Sequence, residues 1–228
     1  MTISGRPAAI FCDFDGTVTE EDLIIQVWRR FARDGWQEKV REMLDRRVSL
    51  KTGVPEIFAE IPSSLKEEII EHAKGVVRFR AGFPEFLAFC REHGIPFNLV
   101  SGGIDFFVDP VIEPFRSLMD EVYTIPADLS GPTIRLQHPY PCESCGLCKA
   151  RVLALHPPGF RILIGDSVTD LHGALEADLV FARGRLQTMM REHGHPFEPF
   201  ETFFDVRAAL EEKYLAPRRG AASPEAAL

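Results

Sequence analysis

Five short apolar runs punctuate the chain, at residues 8–14, 97–100, 122–125, 161–164 and 179–182. Most are followed by Gly, Ser or Asp and then by a helical pattern. Runs of this length without polar alternation fit strands buried on both faces. Strands alternating with helices predict a doubly wound α/β fold, a parallel sheet with helices on both sides. Ligands of such sheets gather outside the carboxyl ends of the strands. That edge is where this chain places its Asp, Ser and Gly residues.

The alternation breaks between residues 20 and 80, which hold no strand-like run. Helical patterns are expected there at about 21–33, 37–46, 51–60 and 64–74, with Ser64 and Glu67 spaced as a capping box. The segment carries 12 acidic and 12 basic residues and is neutral, so the whole net charge of −8 falls on the rest. This shift predicts a helical cap (20–80) inserted into an α/β core (1–19 and 81–215). Residues 216–228, dominated by Pro, Gly, Ala and Ser, read as a disordered tail. The 228 residues, awkward for one minimal domain and short for two, suit a core with an insertion.

Composition narrows the function. A chain of 34 acidic and 26 basic residues is a poor match for nucleic acid or an anionic membrane. No apolar run approaches the ~20 residues of a bilayer span, and the first nine residues lack a signal-peptide core. With only five Cys, the expected compartment is the cytosol, with reduced thiols. The 18 Phe, against three Tyr and two Trp, read as core filling.

Four local patterns carry chemistry. Asp13-Phe14-Asp15-Gly16-Thr17 closes the first run; strand alternation puts Asp13 and Asp15 on one side, where two carboxylates call for a hard cation such as Mg²⁺. Val100-Ser101-Gly102-Gly103 is expected to follow a strand and open a helix, offering a hydroxyl and amides to an anion. Lys149 precedes a helical pattern in an acidic region. Gly165-Asp166-Ser167-Val168-Thr169-Asp170 supplies two further carboxylates. Each pattern alone fits a turn, a cap or a solvated side chain. In this order, all at one sheet edge, they define a site.

With these motifs the sequence resembles the haloacid-dehalogenase-like superfamily of aspartate-nucleophile phosphatases, which have a Rossmann-like core. The resemblance implies that Asp13 attacks phosphorus and Asp15 serves as acid, then base. It implies that Thr17 supports the loop, that Ser101, Gly102 and Gly103 hold the phosphoryl group, and that Lys149 offsets charge. Mg²⁺ would be held by Asp13, the Asp15 carbonyl and Asp166, with Asp170 in support. A helical cap implies a small phosphorylated metabolite rather than a phosphoprotein.

Two branches of the superfamily compete. The methionine-salvage branch, acting on an enol phosphate with a methylthio tail, is the nearer resemblance, through residues 61–69, 100–110 and 164–170. The phosphoserine branch uses a cap Arg to hold the substrate carboxylate. Alignment on Pro62 puts Val54 at that position, with Arg46, Arg47 and Lys51 as substitutes if the register shifts. Asp22 is expected either to contact substrate or to serve as a helix N-terminal acid. A non-enzymatic alternative, a receiver-like switch phosphorylated on Asp, fits less well, because receivers lack a large helical insertion.

Cys142, Cys145 and Cys148 form a C-x₂-C-x₂-C run four residues after His138. Three readings stay open: free thiols, a structural zinc held by His138 and the three cysteines, and a disulfide. The consecutive spacing is unlike the usual pair of separated knuckles, which makes free thiols the default. Cys12 and Cys90 read as small buried apolar residues.

Overall fold

The computed structural model describes residues 2–3 and 5–215; the tail expected at 216–228 lies outside the described residues. A short hairpin pairs β1 (Thr2–Ile3) with β2 (Arg6–Cys12). Four helices follow: α1 (Leu23–Phe31), α2 (Trp36–Leu44), α3 (Leu50–Phe58) and α4 (Lys66–Val76). The chain continues through α5 (Phe83–Glu92), β3 (Phe97–Ile104), α6 (Asp105–Ile112) and β4 (Glu121–Ile125). A small ribbon of β5 (Ala127–Asp128) and β6 (Arg135–Leu136) leads into α7 (Lys149–Leu155) and β7 (Phe160–Gly165). Then come α8 (Leu171–Ala174), β8 (Leu179–Ala182), α9 (Gly184–Glu192), β9 (Glu198–Pro199) and α10 (Phe203–Ala209).

The main sheet runs β4-β3-β2-β7-β8-β9, and each of these neighbouring pairs is parallel. The predicted α/β class is what the chain adopts. From β2 the chain moves outward to β3 and β4 on one side, then returns to add β7, β8 and β9 on the other. The strand order therefore reverses at β2, and the crevice at its carboxyl end is the natural binding place. Asp13 is the first residue beyond that end.

Packing explains the apolar runs. Ile10, Phe11 and Cys12 on β2, and Ile162, Leu163 and Ile164 on β7, are all buried, as central strands covered on both faces require. Phe83 and Phe86 of α5 meet Phe203 of α10 at centroid distances of 5.2 and 5.3 Å, and Phe83 lies 6.1 Å from Phe97 of β3. Most of the Phe residues are thus core, although Phe204 is exposed.

Three local expectations are corrected. The first strand stops at Cys12 rather than Phe14. The Ser101-Gly102-Gly103 segment does not open a helix. β3 continues through Ile104, with a register shift against β4 between Val100 and Ile104, and α6 begins at Asp105. Glycine without a side chain tolerates such an irregularity. The Ser64–Glu67 capping box does not form either, because residues Ser63–Leu65 make a 3-10 turn after Pro62, and Leu65 caps α4. The true capping box is Thr202 with Asp205, which starts α10.

The two chain segments flanking the four-helix stretch run side by side. The Glu20 amide donates to the Arg78 carbonyl, the Arg80 amide donates to the Val18 carbonyl, and Thr19 pairs antiparallel with Phe79. Arg80, only 8% exposed, then donates to three carbonyls of the loop after β2: Thr17 (2.7 Å), Gly16 (2.8 Å) and Thr19 (2.9 Å). One guanidinium satisfies loop carbonyls that no strand could pair. Arg80→Ala is expected to cost about 2–3 kcal/mol of stability, since it leaves buried carbonyls unpaired. Urea denaturation checks this; a loss under about 0.5 kcal/mol, the usual surface range, would contradict the clamp.

Candidate active site

The loop Asp13–Thr19 is shaped by Gly16, whose φ of +76° places it in the left-handed region. A Cβ there would also lie 2.6 Å from Asp166 Oδ2. The position is closed to other residues by backbone and by space. This close approach brings the β7 end against the β2 end, and Thr17 Oγ1 donates to Asp166 Oδ1 at 3.2 Å.

Lys149, the first residue of α7, is 2% exposed and lies between two buried carboxylates. Its ammonium donates to Asp13 Oδ1 at 2.5 Å and to Asp170 Oδ1. The second oxygen of Asp170 accepts the amides of Asp166 (3.0 Å) and Ser167 (2.9 Å). Asp170 therefore orients both the lysine and the Asp166 turn. Asp13 Oδ2 is buried and has no hydrogen-bond partner.

Asp15 is held differently. Its Oδ1 accepts the amide of Leu23, the first residue of α1, at 2.6 Å. Asp22 is the N-cap residue of α1, yet its side chain makes no capping bond. It lines the cavity instead, beside Asp15. Ser101 is fully buried, with its Oγ accepting the Gly103 amide at 2.9 Å. Gly103 lies against Asp15: a Cβ there would be 3.2 Å from Asp15 Oδ2. Gly102 lines the cavity.

The electrostatics follow from crowding acids into a dry site. Desolvation, with the charges of Asp22 and Asp13, raises Asp15 from 3.8 to about 8. Desolvation and then Asp13 and Asp170 raise Asp166 to about 8. Asp13 rises to about 7 through burial and Asp170, against the pull of Lys149. For Lys149, burial works against the charge, but Asp13 and Asp170 outweigh it and hold the ammonium well above its ordinary range.

Side-chain oxygens of Asp13, Asp166 and Asp170 all lie within 4.8 Å of one another. Oxygen donors, high negative charge and an orphaned Asp13 Oδ2 fit a hard divalent cation such as Mg²⁺. Asp170 already spends its oxygens on Lys149 and two amides, which leaves Asp13 and Asp166 as the available side-chain ligands. Asp15 is not in this side-chain cluster; its expected contribution is a main-chain carbonyl.

Above these groups lies a cavity of about 210 Å³. Its floor holds Asp13, Asp15, Asp22, Lys149, Ser167, Thr169 and Arg185. Its roof comes from α1, α2 and α3 and is apolar: Ile24, Ile25, Trp28, Val40, Met43, Leu44, Leu50 and Val54. Arg46, Arg47 and Lys51 are not among the lining residues.

The matched family model is the haloacid dehalogenase-like hydrolase, over residues 10–175. The chain belongs to the haloacid dehalogenase-like hydrolases. Among curated relatives, it is 45% identical over 213 residues to the 2-hydroxy-3-keto-5-methylthiopentenyl-1-phosphate phosphatase of Geobacillus kaustophilus (strain HTA426), covering 90% of this chain and 96% of the relative. It is 40% identical to the protein of the same name from Brevibacillus brevis (strain 47 / JCM 6285 / NBRC 100599), covering 91% and 96%. Among solved structures, the phosphoserine phosphatase from T. onnurineus in complex with NDSB-201 superposes with a TM-score of 0.69 at 18% identity, covering 91% of this chain and 96% of that one. At that identity the likeness speaks for the fold. Among the described residues, no helix is long and apolar enough to cross a membrane.

Three residues around the site escape sequence reasoning. Arg80 and Arg183 both donate to the Gly16 carbonyl at 2.8 Å and fix the loop that carries Asp13 and Asp15. Their signal, a lone Arg after the helical stretch and one after β8, is not specific. His172 replaces His138 beside the cysteine run. His138 turns away: its Nε2 donates to the Lys51 carbonyl at 3.1 Å, and its ring packs on Gly146. The fold brings His172 Nδ1 to 3.7 Å from Cys142 Sγ and Cys145 Sγ and 3.9 Å from Cys148 Sγ. The five cysteines form no disulfide.

The raised carboxyls give the metal-free protein a signed pH dependence. Asp13, Asp15 and Asp166 bind protons more tightly folded than unfolded, so their contribution to stability is fully present below about pH 4 and is lost as pH rises through about 7–8. A divalent cation offsets that loss. Thermal melts with chelator should show Tm falling between about pH 6 and about pH 8, and Mg²⁺ should raise Tm more at the higher pH. A Mg²⁺ effect that is flat or reversed with pH would contradict this account.

Proposed function

We propose that the protein is a Mg²⁺-dependent phosphomonoesterase that hydrolyses 2-hydroxy-3-keto-5-methylthiopentenyl-1-phosphate through an aspartyl-phosphate on Asp13. The observation that carries the substrate is the apolar roof with Val54 facing the acidic floor. A phosphoserine head needs partners for an ammonium and a carboxylate; a methylthio tail needs only apolar surface. The names of relatives 37–45% identical to this chain point the same way. Residues 20–80 form the cap, hinged where Thr19 and Phe79 pair. Membership of a hydrolase family counts against the receiver-like switch.

In this reading the phosphoryl group lies over Asp13, near Ser101, Gly102 and Gly103. Asp13 attacks phosphorus and forms an aspartyl P–O bond as the ester P–O bond breaks. Asp15, its carboxyl protonated in the desolvated site, gives its proton to the leaving oxygen. Asp15 then takes a proton from the attacking water. The aspartyl P–O bond breaks, phosphate leaves and Asp13 is restored. Mg²⁺, held by Asp13 and Asp166, would neutralise phosphoryl charge. Lys149 draws Asp13 towards its ionised form, against burial and Asp170, and balances the transferring group. The Leu23 amide ties Asp15 to α1, so the acid is placed when the cap is closed.

A panel of phosphoserine, phosphoethanolamine and the methylthiopentenyl enol phosphate tests the substrate. The enol phosphate should lead in kcat/KM, and an analogue without its methylthio group should lose about tenfold or more. A lead for phosphoserine would overturn the choice. Asp13→Asn should fold and retain Mg²⁺ while turnover drops below about one-thousandth; retained turnover would refute the mechanism.

A further inference from the structure

The geometry points to a second metal centre, a structural zinc held by Cys142, Cys145, Cys148 and His172. The three sulfurs and the His172 Nδ1 lie within 4.8 Å of one another. Zn–S bonds near 2.3 Å and Zn–N bonds near 2.0–2.1 Å give tetrahedral S···N edges of about 3.6 Å. The observed edges of 3.7, 3.7 and 3.9 Å match that figure for every cysteine. Ordinary packing offers no reason for such convergence, because thiols are weak hydrogen-bond partners.

The surroundings fit a bound thiolate set. The Cys145 amide donates to Cys142 Sγ at 3.2 Å, and the Ser144 hydroxyl lies 3.6 Å from both Cys142 Sγ and Cys145 Sγ. Hydrogen bonds to ligand sulfur of this kind stabilise its charge. The Cys142 amide donates to the Cys145 carbonyl at 3.0 Å and closes the knuckle. Three protein sulfurs and one imidazole complete four ligands, the closed arrangement of structural rather than catalytic zinc.

The location gives the site a purpose. Cys148 immediately precedes Lys149, and His172 follows Asp170 by two residues. One ion would bolt the start of α7 to α8, fixing the two elements that hold the buried Lys149–Asp170 pair. The same loop reaches the helical segment: the Lys51 amide donates to the Ser144 carbonyl at 3.2 Å, and the Lys51 carbonyl accepts His138. Cys145, Gly146 and Leu147 form part of the cavity wall. The zinc therefore acts as a positioning centre, and its existence does not depend on the phosphatase reading.

The full chain, purified under reducing conditions without chelator, should contain one zinc per chain by elemental analysis. His172→Ala and Cys145→Ser should lose it, whereas His138→Ala should keep it. Cobalt exchanged into the wild type should give a thiolate-to-metal charge-transfer band and intense tetrahedral d–d absorption. Should a variant fail to fold, the wild type still decides: a mercurial titration read with a zinc-sensing dye should release zinc in step with the modification of three thiols. Wild-type protein that neither contains zinc nor takes up cobalt, zinc lost with His138 but kept without His172, or a disulfide among the three cysteines would each overturn the proposal. These readouts are independent of turnover, so a failure here leaves the proposed substrate standing.

Discussion

A single ammonium, that of Lys149, holds the centre of this molecule together. It lies in a dry pocket between Asp13 and Asp170, both buried. Removing one partner of such a group strands a buried charge and costs about 3–5 kcal/mol. The arrangement survives because nearly every lone pair is used: Asp170 also accepts two amides, and Asp13 keeps one oxygen in reserve. In the proposed mechanism that reserve oxygen is free to act as nucleophile or metal ligand. The ion chain also joins three parts of the topology, the end of β2, the start of α7 and the turn after β7. Stability and function draw on the same contacts.

The strand order explains why those parts meet. Because the strand order reverses at β2, the loops after β2, β3 and β7 open into one crevice. Close contact there demands small residues and cations aimed at carbonyls. Gly16 makes room for Asp166, and Arg80 and Arg183 converge on the Gly16 carbonyl from distant parts of the chain. Arg80 does further service, since it sits where the helical segment rejoins the core. The clamp on the loop that carries Asp13 and Asp15 thus sits at the junction between the helical segment and the core.

How much of this is legible in the sequence depends on how local the signal is. The parallel sheet shows because five of its six strands are self-contained apolar runs, the short edge strand β9 (Glu198–Pro199) being the exception, and the acidic motifs show because strand ends expose their chemistry. The four helices between β2 and α5 are legible from their periodicity to within a few residues. What fails is non-local. The course of β3 through Ile104 depends on its pairing with β4, so a Ser-Gly-Gly that looks like a helix start is a strand end with an irregularity. The apparent cap at Ser64 is overruled by the turn that Pro62 sets up. His138 is near the cysteines along the chain, but its ring is claimed by the Lys51 carbonyl; His172 is distant in sequence and reaches them because α8 packs on α7. Arg80 and Arg183 carry no motif at all, since a side chain that pairs with backbone carbonyls leaves no pattern in residue types.

An acidic chain that binds a dianionic substrate needs a local exception to its own charge. The neutral helical segment supplies no cation to the roof; Lys51, at its edge, keeps out of the cavity lining. The floor cations are Lys149 and Arg185, and the proposed Mg²⁺ supplies the remainder. Desolvation does the rest by a different route. It raises Asp15 to about 8, so at neutral pH that carboxyl carries a proton rather than a charge, as the proposed acid role needs. In the proposed reaction the apolar roof would receive the methylthio tail and would also help keep water from Asp15, so specificity and proton inventory would draw on one surface.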